Sequence, residues 1–234
     1  MNGSTGSGLS RAWILVWDLP ARVSHWGFSL SLTVALVVGF KTDPESSVFK
    51  VHILAGLLAC WFLFVRLVMG FVGSRPVRWT AFFKAISKWR EYAAELRAWR
   101  AVERVGLNAG SALFALMIYV TVLGVVCTGF AADFVETWHG RLAYACVVLI
   151  GAHLAGLLAH AFRHREASPL AMIHGRVLGD AASALTSQRS GAGWLLIALG
   201  AGVASLLWVY FDEPTSVLRI PFLPEIYLPV IQKG

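Results

Sequence analysis

ETWHGRLAYACVVLIGAHLAG, residues 136–156, sets His139 and His153 fourteen residues apart in a stretch otherwise apolar enough to be a membrane helix. At 100° per residue that step leaves the two imidazoles roughly 40° apart on one helical face and about 21 Å apart along the axis. A spanning helix needs no such groups, and an ionisable side chain at membrane depth is costly enough to mark a functional site.

The rest of the chain supports a membrane reading. Of its 234 residues 57% are apolar and 14% charged, and the mean hydropathy is +0.67. Five apolar runs approach the roughly 20 residues that cross a bilayer, near 19–40, 50–72, 107–130, 138–162 and 192–211. The first is too long for a signal-peptide core and lacks a small-residue cleavage site after it, so it counts as a span. Barrel-type alternation is absent, and the spans are expected to be helices. The fold class expected is an all-α integral membrane protein: a four-helix bundle, a fifth transmembrane helix and an amphipathic interfacial helix.

GSRPVRWTAFFKAISKWREYAAELRAWRAVERVG (73–106) carries eight Lys and Arg against three Glu, which makes it the cytoplasmic loop by the positive-inside rule. The N-terminus is then inside and the C-terminus periplasmic. Trp79, Phe82, Phe83, Ile86, Trp89, Tyr92, Leu96 and Trp99 recur at helical steps in that loop, as in a helix lying in the headgroup region. Membrane topology and anionic lipid therefore explain the net charge of +7 better than nucleic acid does. Cys60, Cys127 and Cys146 lie in three different apolar runs with no Cys-x-x-Cys, so they read as small apolar residues. The expected segments are a disordered 1–12, a membrane domain over 13–176, a linker and fifth helix over 177–211, and a periplasmic tail over 212–234. Three prolines at 221, 224 and 229 argue against a helix in that tail, whose apolar residues suit docking of a periplasmic partner.

With alternating topology, His25 and His153 fall in the inner half of the membrane, and His52 and His139 in the outer half. Each depth then holds two imidazoles, the ligand set of a six-coordinate haem iron, which suits electron transfer because no coordination position stays open. A single histidine could equally be bonded to Ser, Thr or backbone of a neighbouring helix, but two depth-matched pairs favour ligation. His160, seven residues beyond His153, lies too near the inner surface to match His25 and is the reserve ligand. Gly27, Gly56, Gly140, Gly151 and Gly156 lie near the histidines and would admit a flat macrocycle. Arg22 and Arg66 on the inner side, with Lys50 and Arg141 on the outer, are candidate partners for haem propionates.

VWDLPARVSHW (16–26), VHILAGLLACWFLFVRLVMGFVGS (51–74) and WHGRLAYACVVLIGAHLAGLLAHAFRHRE (138–166) together resemble the bacterial cytochrome b561 and nickel–iron-hydrogenase b-type cytochrome family. The resemblance covers most of 13–176. It implies a four-helix bundle with two b haems on His25, His52, His139 and His153. It also implies electron transfer between ubiquinone or menaquinone and a hydrogenase, another periplasmic oxidoreductase or a c-type cytochrome, in the bacterial inner membrane. Some short relatives instead oxidise superoxide and reduce quinone, which is the alternative on the same scaffold. A histidine relay for protons is a third reading, opposed by the lack of Asp and Glu in the middle of every span. Where many members have Gly-His-Asn-Pro before the third helix, this chain reads GLNAG at 106–110, and the last span and tail extend past the family's core.

Overall fold

The computed structural model describes residues 12–98, 106–131, 136–164, 170–212 and 216–228. Eight helices run through it: α1 Leu19–Lys41, α2 Phe49–Val72, α3 Trp79–Ser87, α4 Trp89–Arg97, α5 Ala109–Phe130, α6 Glu136–His164, α7 Ala171–His174 and α8 Ser190–Tyr210. Five of them, α1, α2, α5, α6 and α8, contain segments long and apolar enough to cross a membrane. The chain is thus a mostly helical, multi-pass membrane protein. Large apolar side chains such as Phe64, Phe71, Val148 and Phe162 face outward, as lipid rather than water surrounds the bundle.

The spans pair as two hairpins. α1 packs along α2 and α5 along α6, while contacts between the hairpins are sparse. The two are joined at mid-depth by Phe28 and Leu32 of α1, Phe62 and Leu63 of α2, Ile118 and Val122 of α5, and Cys146 of α6. Cys146 is accordingly a buried apolar residue, and the three cysteines are free.

Local sequence fixes the helix starts. Asp18 caps α1, accepting from the Ala21 backbone N–H at 3.2 Å, with Pro20 in the first turn. Asn108 caps α5 the same way, accepting from Ser111 N at 2.8 Å. α8 lies against α1 and α2, where Gly193 meets Leu19 and Gly200 meets Phe62, so the fifth span packs onto the first hairpin.

The amphipathic stretch after α2 is divided at Lys88 into α3 and α4. Ser87 turns its hydroxyl back to the Lys84 carbonyl, the local bonding that competes with helix propagation. Both pieces dock on the bundle. Trp79 Nε1 donates to the Leu67 carbonyl at 3.2 Å, and Tyr92 is buried against Gly110. Trp99, expected to continue the stripe, lies outside the described residues.

Two small sheets close the ends. β1 (Ala12–Leu15) pairs antiparallel with β2 (Arg176–Gly179), Ala12 opposite Gly179 and Leu15 opposite Arg176. Ala12 therefore belongs to a strand, while the expected disorder of 1–11 lies outside the described residues. After α8, β3 (Phe211–Asp212), β4 (Val217–Leu218) and β5 (Ile226–Tyr227) form a three-stranded sheet in order β3-β4-β5. Leu218 and Leu228 anchor that sheet on Leu54 and Leu207.

Candidate functional site

His52 is in the first turn of α2, and His139 is at the same end of α6. Their ring centroids are 6.1 Å apart with the planes at 80°. His52 reaches from its own helix to α1, where its Nδ1 lies 2.8 Å from the Ala35 carbonyl oxygen. His139 does the same within the second hairpin, with Nδ1 3.0 Å from the Val125 carbonyl of α5. A carbonyl only accepts, so each Nδ1 carries the hydrogen, and in the neutral ring Nε2 keeps its lone pair. Bonding to a neighbouring backbone and ligation are thus compatible, because they use opposite nitrogens of one ring.

A glycine makes each carbonyl reachable. Residues four apart share a helical face, and the residue four beyond Ala35 is Gly39, four beyond Val125 Gly129. A Cβ at Gly39 would stand 2.6 Å from His52 Nδ1, and one at Gly129 would stand 3.3 Å from His139 Cε1. Neither glycine is near its histidine in sequence, and the only signal for them is a carbonyl-bearing residue with glycine four later, once the hairpin partner is known. The glycines singled out by sequence differ in their settings: a Cβ would meet open space at Gly56, Gly140, Gly151 and Gly156, whereas Gly27 packs on Phe62.

Away from the His52 end stand His25 of α1 and His153 of α6. The field of His153 and that of Arg66 both reach His25. The two rings make no contact with each other among the described residues; His25 lies edge-on to Trp26 and His153 against Phe114. Arg66 turns into the bundle, donating from Nε to Tyr119 Oη at 3.1 Å and from Nη1 to the Ala21 carbonyl at 3.4 Å. Arg22 is instead tied to the Ile173 carbonyl at 2.6 Å.

Of the outer cations, Lys50 stacks over Trp208 of α8 at 4.5 Å and Arg141 over Trp138 at 5.2 Å. His160 is half-buried on α6. Among the described residues no three His, Cys, Asp or Glu side chains gather as an ion cage.

A family profile described as prokaryotic cytochrome b561 matches residues 16–175, which include all four histidines and both hairpins. The chain belongs to that family. It is a membrane b-type cytochrome of electron transfer, and membership implies haem b. This cytochrome is also similar to a probable Ni/Fe-hydrogenase B-type cytochrome subunit of Bradyrhizobium diazoefficiens, at 23% identity over 71% of this chain and 87% of the relative. No solved structure matches the cytochrome significantly.

Proposed function

We propose that this cytochrome holds two haem b groups, one between His52 and His139 and one between His25 and His153, and passes electrons through the membrane between quinone and an oxidoreductase partner. The observation that carries the reading is the facing of His52 and His139, each with Nδ1 on a carbonyl of the preceding helix. Their ring centroids, 6.1 Å apart, would let both imidazoles reach one haem iron through Nε2. The sparse packing between the hairpins and the open faces of Gly56, Gly140 and Gly151 leave room for a macrocycle. Haem held by His52 with His139, or by His25 with His153, would supply one-electron chemistry.

The chain's own residues set the conditions for that chemistry. The Ala35 and Val125 carbonyls hold the outer imidazoles in one tautomer and make Nε2 a stronger donor. Phe28, Leu32, Phe62, Leu63, Ile118, Val122 and Cys146 fill the space between the two levels and keep water out of it. His139 and His153 set those levels about 21 Å apart along α6. Arg66 places a positive charge near His25; Arg22 on the same side, with Lys50 and Arg141 on the other, are the remaining cations proposed to meet propionates.

The basic 73–106 loop supports a cytoplasmic position for its end of the bundle and for the N-terminus, in the inner membrane of a bacterium. The His52 end and the C-terminal sheet then face the periplasm. A hydrogenase-like oxidoreductase or a c-type cytochrome is the partner there, in keeping with the name of the Bradyrhizobium relative.

Haem content by pyridine haemochromogen and a redox titration test this. Wild type should hold two haems per chain and titrate in two steps. His52→Ala and His139→Ala should each remove the same step, and His25→Ala and His153→Ala the other. One haem in wild type, or loss of the same step from His52→Ala and His153→Ala, would overturn the pairing.

A further inference from the structure

Where α2 ends and α8 begins, the surface forms a cleft of about 360 Å³. Ser74, Arg75 and Arg78 line one side, and Thr186, Ser187 and Arg189 the other. Three arginines thus meet in one concavity whose lining contains no acid among the described residues. Arg189 also faces the fully buried Asp18 carboxylate at 3.9 Å.

Arg78 and Arg189, which line the cleft, are the residues immediately before α3 and α8. Arg189 holds a left-handed backbone, φ 51°, that a non-glycine residue seldom adopts, with its N–H bonded to Ser187 Oγ at 3.1 Å. Arg78 commits only Nε, to the Gly73 carbonyl at 2.9 Å. The Ser74 hydroxyl is shielded from water and has no hydrogen-bond partner among the described residues. An unpaired hydroxyl beside convergent guanidinium groups makes the donor set of a phosphate site.

The surroundings select the source of that phosphate. Val72 lines the cleft, and it and Phe71 present exposed apolar surface on the last turn of α2. Trp194 and Leu195 do the same in the first turns of α8. A ligand bound here has its charged group in the cleft and apolar surface immediately beside it.

We infer that this cleft binds the phosphate of an anionic phospholipid, headgroup among Arg75, Arg78 and Arg189, and acyl chains along the outer faces of α2 and α8. The site is independent of the haem pairing, since it contains none of the histidines. Plain positive-inside anchoring accounts for the sign of the charge, but not for the concavity or the unpaired Ser74 hydroxyl.

Native mass spectrometry of the haem-loaded protein, offered phosphatidylglycerol, phosphatidylcholine or inorganic phosphate, tests the proposal. One phosphatidylglycerol per chain should be retained in preference to phosphatidylcholine. Arg75→Gln with Arg78→Gln should lower that occupancy roughly tenfold, the loss of about 1.4 kcal/mol of charge-assisted bonding. Arg90→Gln with Arg97→Gln, an equal loss of charge on the exposed surface of α4, should leave it unchanged. Should the Arg75 and Arg78 double variant lose its haem, Arg75→Gln alone gives the reading, because the exposed Arg75 side chain holds no bond within the described protein. Retention equal to wild type in these variants would overturn the site. Inorganic phosphate binding as tightly as the lipid, and lost in the same variants, would overturn the lipid as its source.

Discussion

At the His52 end of the bundle both imidazoles are held by backbone carbonyls of the preceding helix and lie 6.1 Å apart. At the His25 end neither ring has a hydrogen bond among the described residues, the rings are not in contact, and the half-buried Arg66 stands near His25. One pair is oriented by directed bonds and the other by aromatic packing and charge. The difference teaches where each end is vulnerable: the first to small displacements of a ring, the second to the loss of a positive field. Variants that respect this division sharpen it, and variants that cross it would break it.

The largest effect is expected from Gly39→Val. A Cβ there would stand 2.6 Å from the nitrogen that His52 uses to reach Ala35, and valine adds two further methyl groups. Overpacking of this kind costs about 1–3 kcal/mol, and His52 can relieve it only by leaving the carbonyl. Haem content should fall from two per chain to one, with the His25-end redox step retained. Gly202→Ala, where a Cβ meets open space, serves as the control. Full loading of Gly39→Val with both potentials unmoved would mean that the ring is not positioned by this contact.

Arg66→Met comes next and acts on the other end. It keeps the length of the side chain but removes the cation facing His25, together with the bonds to Tyr119 and Ala21. A nearby positive charge favours the reduced, less positive form of a redox centre. Its removal should lower the potential of the His25-end haem by on the order of 50 mV, about 1 kcal/mol for a one-electron couple. The His52-end potential should hardly move in the same titration. Equal shifts in both would show that the two ends are not electrostatically separate.

How far these features could be read from the chain follows from the range of each interaction. Five long apolar runs bound the spans to within a residue or two, because crossing a bilayer is set by local length and hydropathy. His52 and His139 could be brought to one level by counting rise along antiparallel helices, since depth is a one-dimensional quantity. Gly39 and Gly129 could not, because their role is a contact between helices whose rotation about their own axes depends on the whole bundle. The pairing of Lys50 with Trp208 was hidden for the same reason, as it joins α2 to the distant α8. The 3.6-residue stripe of 79–96 was legible, but the seating of Tyr92 against Gly110 was not, because it joins α4 to α5. The prolines did exclude a helix from the described tail, yet the small sheet formed instead relies on the apolar seat offered by Leu54 and Leu207.

The smallest effect should come from Thr128→Val, which probes how far the directed bonding at the His52 end extends. The Thr128 hydroxyl lies 2.8 Å from the Gly124 carbonyl and 3.0 Å from that of Val125, and its contact with His139 Nδ1 is a long 3.4 Å. His139 already has the Val125 carbonyl at 3.0 Å, so the hydroxyl competes for the same acceptor more than it holds the ring. Valine preserves the shape of threonine and removes that competition, leaving the carbonyl wholly to His139. A stronger Nδ1–H bond makes Nε2 more electron-rich and favours the oxidised form of whatever iron it ligates. The His52-end potential should therefore drop by on the order of 10–20 mV, a few tenths of a kcal/mol, with no loss of haem. A rise in that potential, or release of the haem, would show instead that Thr128 is itself a support of the His139 ring and that the orientation at this end rests on more than the two carbonyls.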